Sequence, residues 1–320
     1  MVKICALGAA SQDVFLSGHQ IVSSKDESGK LIEAFPLGAK IDIENIVFST
    51  GGGATNAAVT FARQNIESSF IGRIGNDMAG TAIINELDKD HIDTSKVIYD
   101  PNLGTQYSTV LLSESGERSI LIYRGAAHGH KASDYEEIDF SNFDWLYVSS
   151  FAGSMDALDV IFSNAKRQGI KIAFNPGEGE LIKINLLKPL LEDVEILIVN
   201  KQEAAQIVEG ETMDELMRHA INFVPVVVIS DGPNGVSATD GKTIVEAGMY
   251  DDVPVIDRTG AGDAFGSGFL SQWSQGKSLK DSIIFASANS TSVVNKIGAK
   301  SGILEFGVKL HDMPINEKQF

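Results

Sequence analysis

The chain has 320 residues, 43% of them hydrophobic, with a mean hydropathy of +0.02, which is enough for a large buried core in a soluble globular protein. Its 26 basic and 43 acidic side chains leave a net charge of −17, which excludes the basic footprint of a nucleic-acid binder while still allowing a helix N-terminus to hold a small anion. No apolar run approaches the roughly 20 residues of a membrane helix, so neither nucleic acid nor membrane is an expected partner.

"VKICALG", residues 2–8, reads as a first strand. Lys3 is the only basic residue of this N-terminal stretch and a polar "SQD" follows, so a strand is expected here rather than a signal peptide. Cys5 is the only cysteine and is expected as a buried core thiol. With no disulfide possible within the chain, a reducing cytoplasm fits. Residues 14–48 read as a β-hairpin around the turn "KDESGK". "NAAVTFARQN" reads as a helix, "SSFIGRIG" as a strand and "MAGTAIINELDKD" as a helix. Residues 104–124 read as a second hairpin, around "ESGE". Together the two hairpins are expected to form one small sheet projecting from the body.

From "DWLYVSS" onward, strands and helices alternate: "MDALDVIFSNAKRQ" (helix), "IKIAFN" (strand), "ELIKINLLKPLLED" (helix, interrupted at Pro189), "EILIVN" (strand), "KQEAAQIV" (helix) and "VPVVVIS" (strand). Such alternation predicts βαβ units and a largely parallel sheet covered on both faces. "GVSATDGKTIVEA" reads as a hairpin turning at Asp240-Gly241. Two helices close the chain, over 261–275 and in "SLKDSIIFASANSTSVVNK".

"DRTGAGDAFGSG" opens the first of these closing helices on glycine, although glycine weakens a helix interior by about 1 kcal/mol relative to alanine. A dinucleotide fingerprint does not fit. The glycines at 260, 262 and 266 are spaced G-x-G-x-x-x-G, and helix follows helix where a strand is needed. Neither "GKS" nor "GKT" has the glycine that a Walker A loop needs. Gly266 and Gly268 read equally well as helix-packing residues. Gly260, Ala261 and Gly262 expose backbone N–H groups where the helix dipole favours an anion. Asp263 lies beside them, placed to take a proton from an attacking hydroxyl; helix stabilisation alone also accounts for a carboxylate there.

"STGGGATNAA" repeats this logic. Gly51, Gly52 and Gly53 let a ligand approach the backbone, and Asn56 adds an amide able to hold a hydroxyl pair. Asp13 follows the first strand, where open α/β sheets bind ligands, but serves as well for a turn or cap. Asn200 and Glu203, in "VNKQEAAQ", either orient waters on Mg²⁺ or cap a helix. His128 and His130 have no further metal ligands nearby in sequence and read as loop histidines.

"GGGATNAAVTFARQ" followed by "IGRIGNDMAG", "NKQEA", and above all "DRTGAGDAFGSGFL" together resemble the ribokinase-like carbohydrate kinases of the PfkB family. The resemblance spans nearly the whole chain in the expected order. It implies a three-layer α/β/α sandwich with a mostly parallel central sheet, one kinase domain over 1–320, and a β-sheet lid from 14–48 and 104–124. The implied activity moves the γ-phosphate of ATP to a hydroxymethyl group of a small sugar. A nucleoside kinase and a catalytically silent ligand-binding regulator on the same fold are the alternatives, and retention of Asp263 with its glycines argues against the silent protein. The resemblance makes Asp263 the base and the amides of Gly260, Ala261 and Gly262 the anion hole. Asp13, Gly52, Gly53 and Asn56 then grip the acceptor. Asn200 and Glu203 organise Mg²⁺, with Glu203 acting through water. Ser230 and Gly232 border the nucleotide, Asn289, Asn295 and Gly298 lie on its purine side, and Asp257 and Thr259 sit where many relatives bind a monovalent cation such as K⁺. A homodimer through the lid is also implied. Gly53 stands where ribokinases proper carry lysine, and Arg124 leaves a lid strand as in some sugar-acid kinase relatives, so the acceptor stays open among sugars, sugar acids, sugar phosphates and nucleosides.

Overall fold

A computed structural model describes residues 1–113, 118–248, 250, 253–310 and 312–320. The N-terminal half runs β1 (Lys3–Leu7), β2 (Ser11–Ser17), β3 (Ser23–Lys25), β4 (Leu31–Glu33), β5 (Asn45–Gly51), α1 (Gly53–Arg63), β6 (Glu67–Ile71), β7 (Arg73–Gly75), α2 (Met78–Lys89), β8 (Ile98–Asp100), β9 (Gln106–Leu112) and β10 (Arg118–Tyr123). Then come β11 (Trp145–Val148), α3 (Met155–Gln168), β12 (Lys171–Phe174), α4 (Glu178–Leu181), α5 (Ile184–Leu190), β13 (Ile196–Asn200), α6 (Lys201–Ile207), α7 (Met213–Ala220) and β14 (Val226–Ser230). The chain closes with β15 (Val236–Thr239), β16 (Thr243–Ala247), α8 (Ala261–Trp273), α9 (Leu279–Val294) and β17 (Ile315–Gln319).

The main sheet has the order β17-β16-β15-β14-β13-β12-β11-β1-β6. Pairing is parallel from β14 through to β6 and antiparallel across β15, β16 and β17. The two-residue period of each strand sends alternate side chains into two cores. Ile4 and Ala6 join Phe61, Phe265 and Phe269 beneath α1, α8 and α9. Cys5 and Leu7 join Leu158, Phe162 and Ile207 beneath α3 and α6. The result is the three-layer α/β/α sandwich expected from the alternation, with Cys5 a buried core thiol. Gly266 and Gly268 act as packing residues. A Cβ on Gly266 would lie 2.8 Å from the Tyr147 hydroxyl, and one on Gly268 would lie 3.1 Å from Ala286 Cα.

A second sheet, β10-β9-β2-β5, stands apart as the lid. β2 runs antiparallel to β5 and parallel to β9, which places Asp13 opposite Ser49 on one side and Ser108 on the other. Segment 14–48 is therefore more than one hairpin. Its outer pair is β2 with β5, and β3 with β4 is nested inside it. Asp26 closes that inner turn by accepting hydrogen bonds from the Ser28 and Lys30 amides at 2.8 and 2.9 Å. The turn "ESGE" lies outside the described residues.

Three further differences from the sequence reading have local causes. "SSFIGRIG" divides at Gly72, where a Cβ would lie 2.4 Å from the Gly8 carbonyl; β6 stays in the main sheet and β7 leaves it to pair with β8. The helix expected over 180–193 breaks between α4 and α5 rather than at Pro189, which lies within α5 one residue before its end. Besides the three-residue strand β8, which pairs with β7, two elements escape the sequence pattern. One is α7, opened by the Thr212–Glu215 capping box. The other is β17, whose "INEKQ" is too polar to read as a strand but pairs along the edge strand β16.

Candidate active site

The parallel strands end along one edge of the main sheet, where an open α/β sheet presents its ligand crevice. β1 delivers the chain to the Gly8 turn, β11 to Ser149, β13 to Asn200 and β14 to Ser230. Two glycine-led helices, α1 and α8, start beside this edge.

The first glycine run is shaped by close contacts. Gly52 has φ +97°, and a Cβ there would lie 2.4 Å from the Ala9 carbonyl. A Cβ on Gly51 would lie 2.1 Å from Asp13 Oδ2, and one on Gly53 would lie 3.1 Å from Asp263 Oδ1. The bare backbone of the run thus threads between the two carboxylates. The Thr55 hydroxyl donates to the Gly51 and Gly52 carbonyls at 2.7 and 3.1 Å, fixing the turn into α1.

Gly260 starts α8 from the left-handed region, φ +79°, and a Cβ there would lie 2.4 Å from the Ala299 methyl. Asp263 lies in the first helical turn. Asn56 Nδ2 donates to Asp263 Oδ2 at 2.7 Å, joining residues 207 positions apart. Burial pushes the Asp263 carboxyl above the ordinary carboxylate value and Asp13 pushes the same way, while the Asn56 hydrogen bond and the Lys300 charge oppose both. Asp13 is also raised, first by burial, against hydrogen bonds from Ser108 and Ser11 and the charge of Lys300. Such a carboxylate, raised toward the working pH, suits a general base. The Ala261 amide turns back to Arg258 O at 3.3 Å. Gly262 and Asp263 remain as first-turn amides, which in any α-helix lack intrahelical partners.

The other expected residues divide. Asn200 and Glu203 form a reciprocal capping box: Asn200 Oδ1 accepts from the Glu203 amide at 2.9 Å and Glu203 Oε2 from the Asn200 amide at 2.8 Å. Ser230 ends β14 and Gly232, φ +52°, opens the exposed turn after it. Asn295 caps the C-terminus of α9 at the surface, three residues before Gly298. Asn289 has its side chain committed within the protein. It is fully buried, donating to Ala264 O at 2.8 Å and accepting from the Leu304 amide at 2.9 Å, so it ties α9 to α8. Asp257 and Thr259 come together around the Asp257 carboxylate. Its oxygens accept from Thr259 N, Thr259 Oγ1 and Gly298 N at 2.9, 2.7 and 3.1 Å, and Arg118 Nη1 stands 3.6 Å away.

Arg124 is exposed where β10 leaves the lid. His128 is held below its ordinary pKa, first by burial and then by the Arg124 charge. His130 is a loop residue, but not an exposed one. It is buried, its Nδ1 bonds the Tyr135 hydroxyl at 2.7 Å, its ring packs on Phe151, and burial draws its pKa down to about 4. No cluster of three or more His, Cys, Asp or Glu suited to a metal occurs among the described residues.

Two buried groups go beyond the sequence reading. Glu180 accepts from Phe151 N, Gly153 N, Ser150 Oγ and Gly177 N at 2.6–3.0 Å, which locks together the loops after β11 and β12. Lys300 donates to Thr50 O and Thr55 Oγ1, each at 2.8 Å. Its only sequence signal is a lysine inside the small-residue run "IGAKSG".

A buried carboxylate in the first turn of a glycine-led helix, beside the start of a second glycine-led helix, is the arrangement expected of a phosphotransferase acting on an alcohol. The family profile described as "pfkB family carbohydrate kinase" matches residues 30–305. The chain belongs to the pfkB family of carbohydrate kinases. It is an ATP-dependent sugar kinase, with an alcohol group as phosphoryl acceptor. It is 28% identical to a ribokinase of Haemophilus influenzae over 270 residues, covering 81% of this chain and 86% of that one. A solved structure of a putative ribokinase II from E. coli superposes with a TM-score of 0.81 at 19% identity, covering 95% of this chain and 96% of that one. A nucleoside kinase of Methanocaldococcus jannaschii superposes with a TM-score of 0.76 at 21% identity, covering 95% of each chain. At these identities the two structures speak for the fold.

Proposed function

We propose that the acceptor is a small sugar whose hydroxymethyl oxygen faces Asp263 and whose adjacent hydroxyl pair is held by Asp13 and Asn56. The observation that carries this reading is Asn56. Its Nδ2 is committed to Asp263, while its buried Oδ1 has no hydrogen-bond donor among the described residues. An orphaned buried acceptor costs about 1–3 kcal/mol, and a sugar hydroxyl would satisfy it. Asp263 takes the proton from the attacking oxygen, and the Gly262 and Asp263 amides face the transferring phosphoryl group. Gly52 and Gly53 give the acceptor access to bare backbone.

The nucleotide lies along the strand ends past Ser230 and Gly232, toward Gly298 and Asn295. The Glu203 carboxylate and the Asn200 amide oxygen, each accepting one backbone N–H of the other residue, suit Mg²⁺ held through its water shell; Mg²⁺ would neutralise the phosphate charge there. Arg124 offers a guanidinium to a carboxylate or phosphate on the sugar. The reading treats the chain as one kinase domain whose lid comes from 14–48 and 104–124. It places the enzyme in the cytoplasm, consistent with a single buried thiol and with no described helix being long and apolar enough to cross a membrane. A nucleic-acid partner has no place in the reading, given the net charge of −17.

Asp13→Ala tests the acceptor seat. It should raise the acceptor KM about ten- to a hundredfold with ATP binding little changed, the equivalent of about 1–3 kcal/mol for one lost buried partner. A deoxy analogue lacking one of the two hydroxyls should suffer similarly with the parent enzyme and little further with the variant. Equal KM values and equal deoxy penalties in both proteins would place the seat elsewhere.

The lid supplies the dimer. One lid face shows Phe48 at 65% and Leu121 at 63% exposure, with Ile46 on the same face by strand register, while Ile120 and Ile122 lie on the opposite face with Asp13. A contiguous apolar face of this kind needs a cover, and the lid of a second copy provides one. Light scattering at micromolar concentration should report a dimer, and Phe48→Glu with Leu121→Glu a monomer. A monomeric parent chain would refute the clasp.

A further inference from the structure

Lys300 is buried, at 4% exposure, in the loop after α9. Its Nζ reaches across 250 residues of sequence to Thr50 O at the end of β5 and across 245 to Thr55 Oγ1 in the first turn of α1. These two partners bracket the glycine run, and Thr55 in turn holds the Gly51 and Gly52 carbonyls. The lysine therefore fixes the backbone that threads between Asp13 and Asp263.

The charges facing this ammonium come from four elements. Asp13 on β2, Asp263 on α8 and Glu86 on α2 favour its charged form, and Arg63 on α1 opposes it. Arg63 is already occupied by Asp90 and by the Lys300 and Ile303 carbonyls. The Lys300 charge acts on both Asp13 and Asp263 and favours the ionised form of each.

We propose that Lys300 is a positioning residue of this site, an ammonium pinned to both ends of the glycine run that keeps Asp13 and Asp263 ionised while the acceptor binds. The proposal rests on the kinase reading for its role in turnover, but the lysine–carboxylate coupling stands by itself. Burial draws Lys300 down to about 7, so its full charge is present on the acid side of neutrality, where a carboxylate raised by burial is in danger of protonating. Its effect on turnover therefore belongs to the acid limb of the rate profile.

Two variants separate charge from hydrogen bonding. Lys300→Gln keeps a donor and removes the charge; Lys300→Met removes both. Each should move the acid limb of kcat/KM for the sugar upward by about one pH unit, the size of one opposite-charge neighbour, with the ATP KM within threefold of the parent. At pH 9 Lys300→Gln should approach parent kcat/KM, and Lys300→Met should keep a raised sugar KM because the glycine run is unpinned. A folded variant whose acid limb coincides with the parent's would overturn the proposal.

A second measurement needs neither variant to fold nor any acceptor. In protein labelled at lysine Cε, one resonance should titrate near neutrality, and Asp263→Asn should lower its midpoint. A lysine spectrum indifferent to Asp263→Asn would also overturn the proposal. Absence of turnover with every sugar would count against the kinase reading and leave the resonance to decide the lysine.

Discussion

Asp263→Asn should lower kcat by about 10²–10⁴-fold, the usual weight of a lost general base, and leave ATP affinity nearly intact. The amide is nearly isosteric and Asn56 can rotate its own amide to meet it, so the crevice should keep its shape. What is lost is the proton acceptor at the first turn of α8. The attacking hydroxyl then reaches phosphorus still protonated, and the developing charge has nowhere to go. A KM for the sugar that stays within a few-fold, measured beside the collapsed kcat, would mark the residue as chemical rather than structural. Near-parent turnover of the folded variant would remove the base from Asp263.

Gly262→Val should fold and fail to turn over. A Cβ at 262 meets nothing within 4 Å, and the residue is exposed, so the side chain enters space that the fold does not use. That space is the mouth of the α8 N-terminus. Branched methyls there would stand between the phosphoryl group and the amides that stabilise it, and losing one such donor typically costs about 10²–10³-fold in kcat. Gly260 is a contrasting position. Its φ is +79° and any Cβ there would lie 2.4 Å from the Ala299 methyl, so substitution distorts the loop itself. The check is a parent-like circular dichroism spectrum and melting temperature beside the lost kcat. A folded and fully active Gly262→Val would refute the role of the backbone amides.

The sheet was legible because its strands are buried on two faces and so read as apolar runs between helices. α7 had a readable signal in Thr212 and Glu215, a capping box, whereas β17 is an edge strand whose polar residues carry no period. The candidate catalytic cluster was legible where it is local: Gly260 to Asp263 lie at the start of one helix. Spacing could not separate Asn200 and Glu203 as ligands from Asn200 and Glu203 as a cap, and the structure shows the cap. Nor could a motif tell that the Asn289 side chain turns inward to bind Ala264 and Leu304. Lys300 was invisible for a different reason. Its partners lie 245 and 250 residues away, and a buried lysine in a glycine-containing loop looks like a solvated one until the fold closes over it.

Coupled ADP release by the purified chain with ATP and Mg²⁺, over a panel of sugars, sugar acids, sugar phosphates and nucleosides, bears most directly on the proposed acceptor. A member of the sugar set should give saturable ADP release far above the acceptor-free rate. Selective turnover of a nucleoside, or ADP release that ignores every sugar offered, would contradict the sugar-kinase mechanism built on Asp263, Asp13 and Asn56.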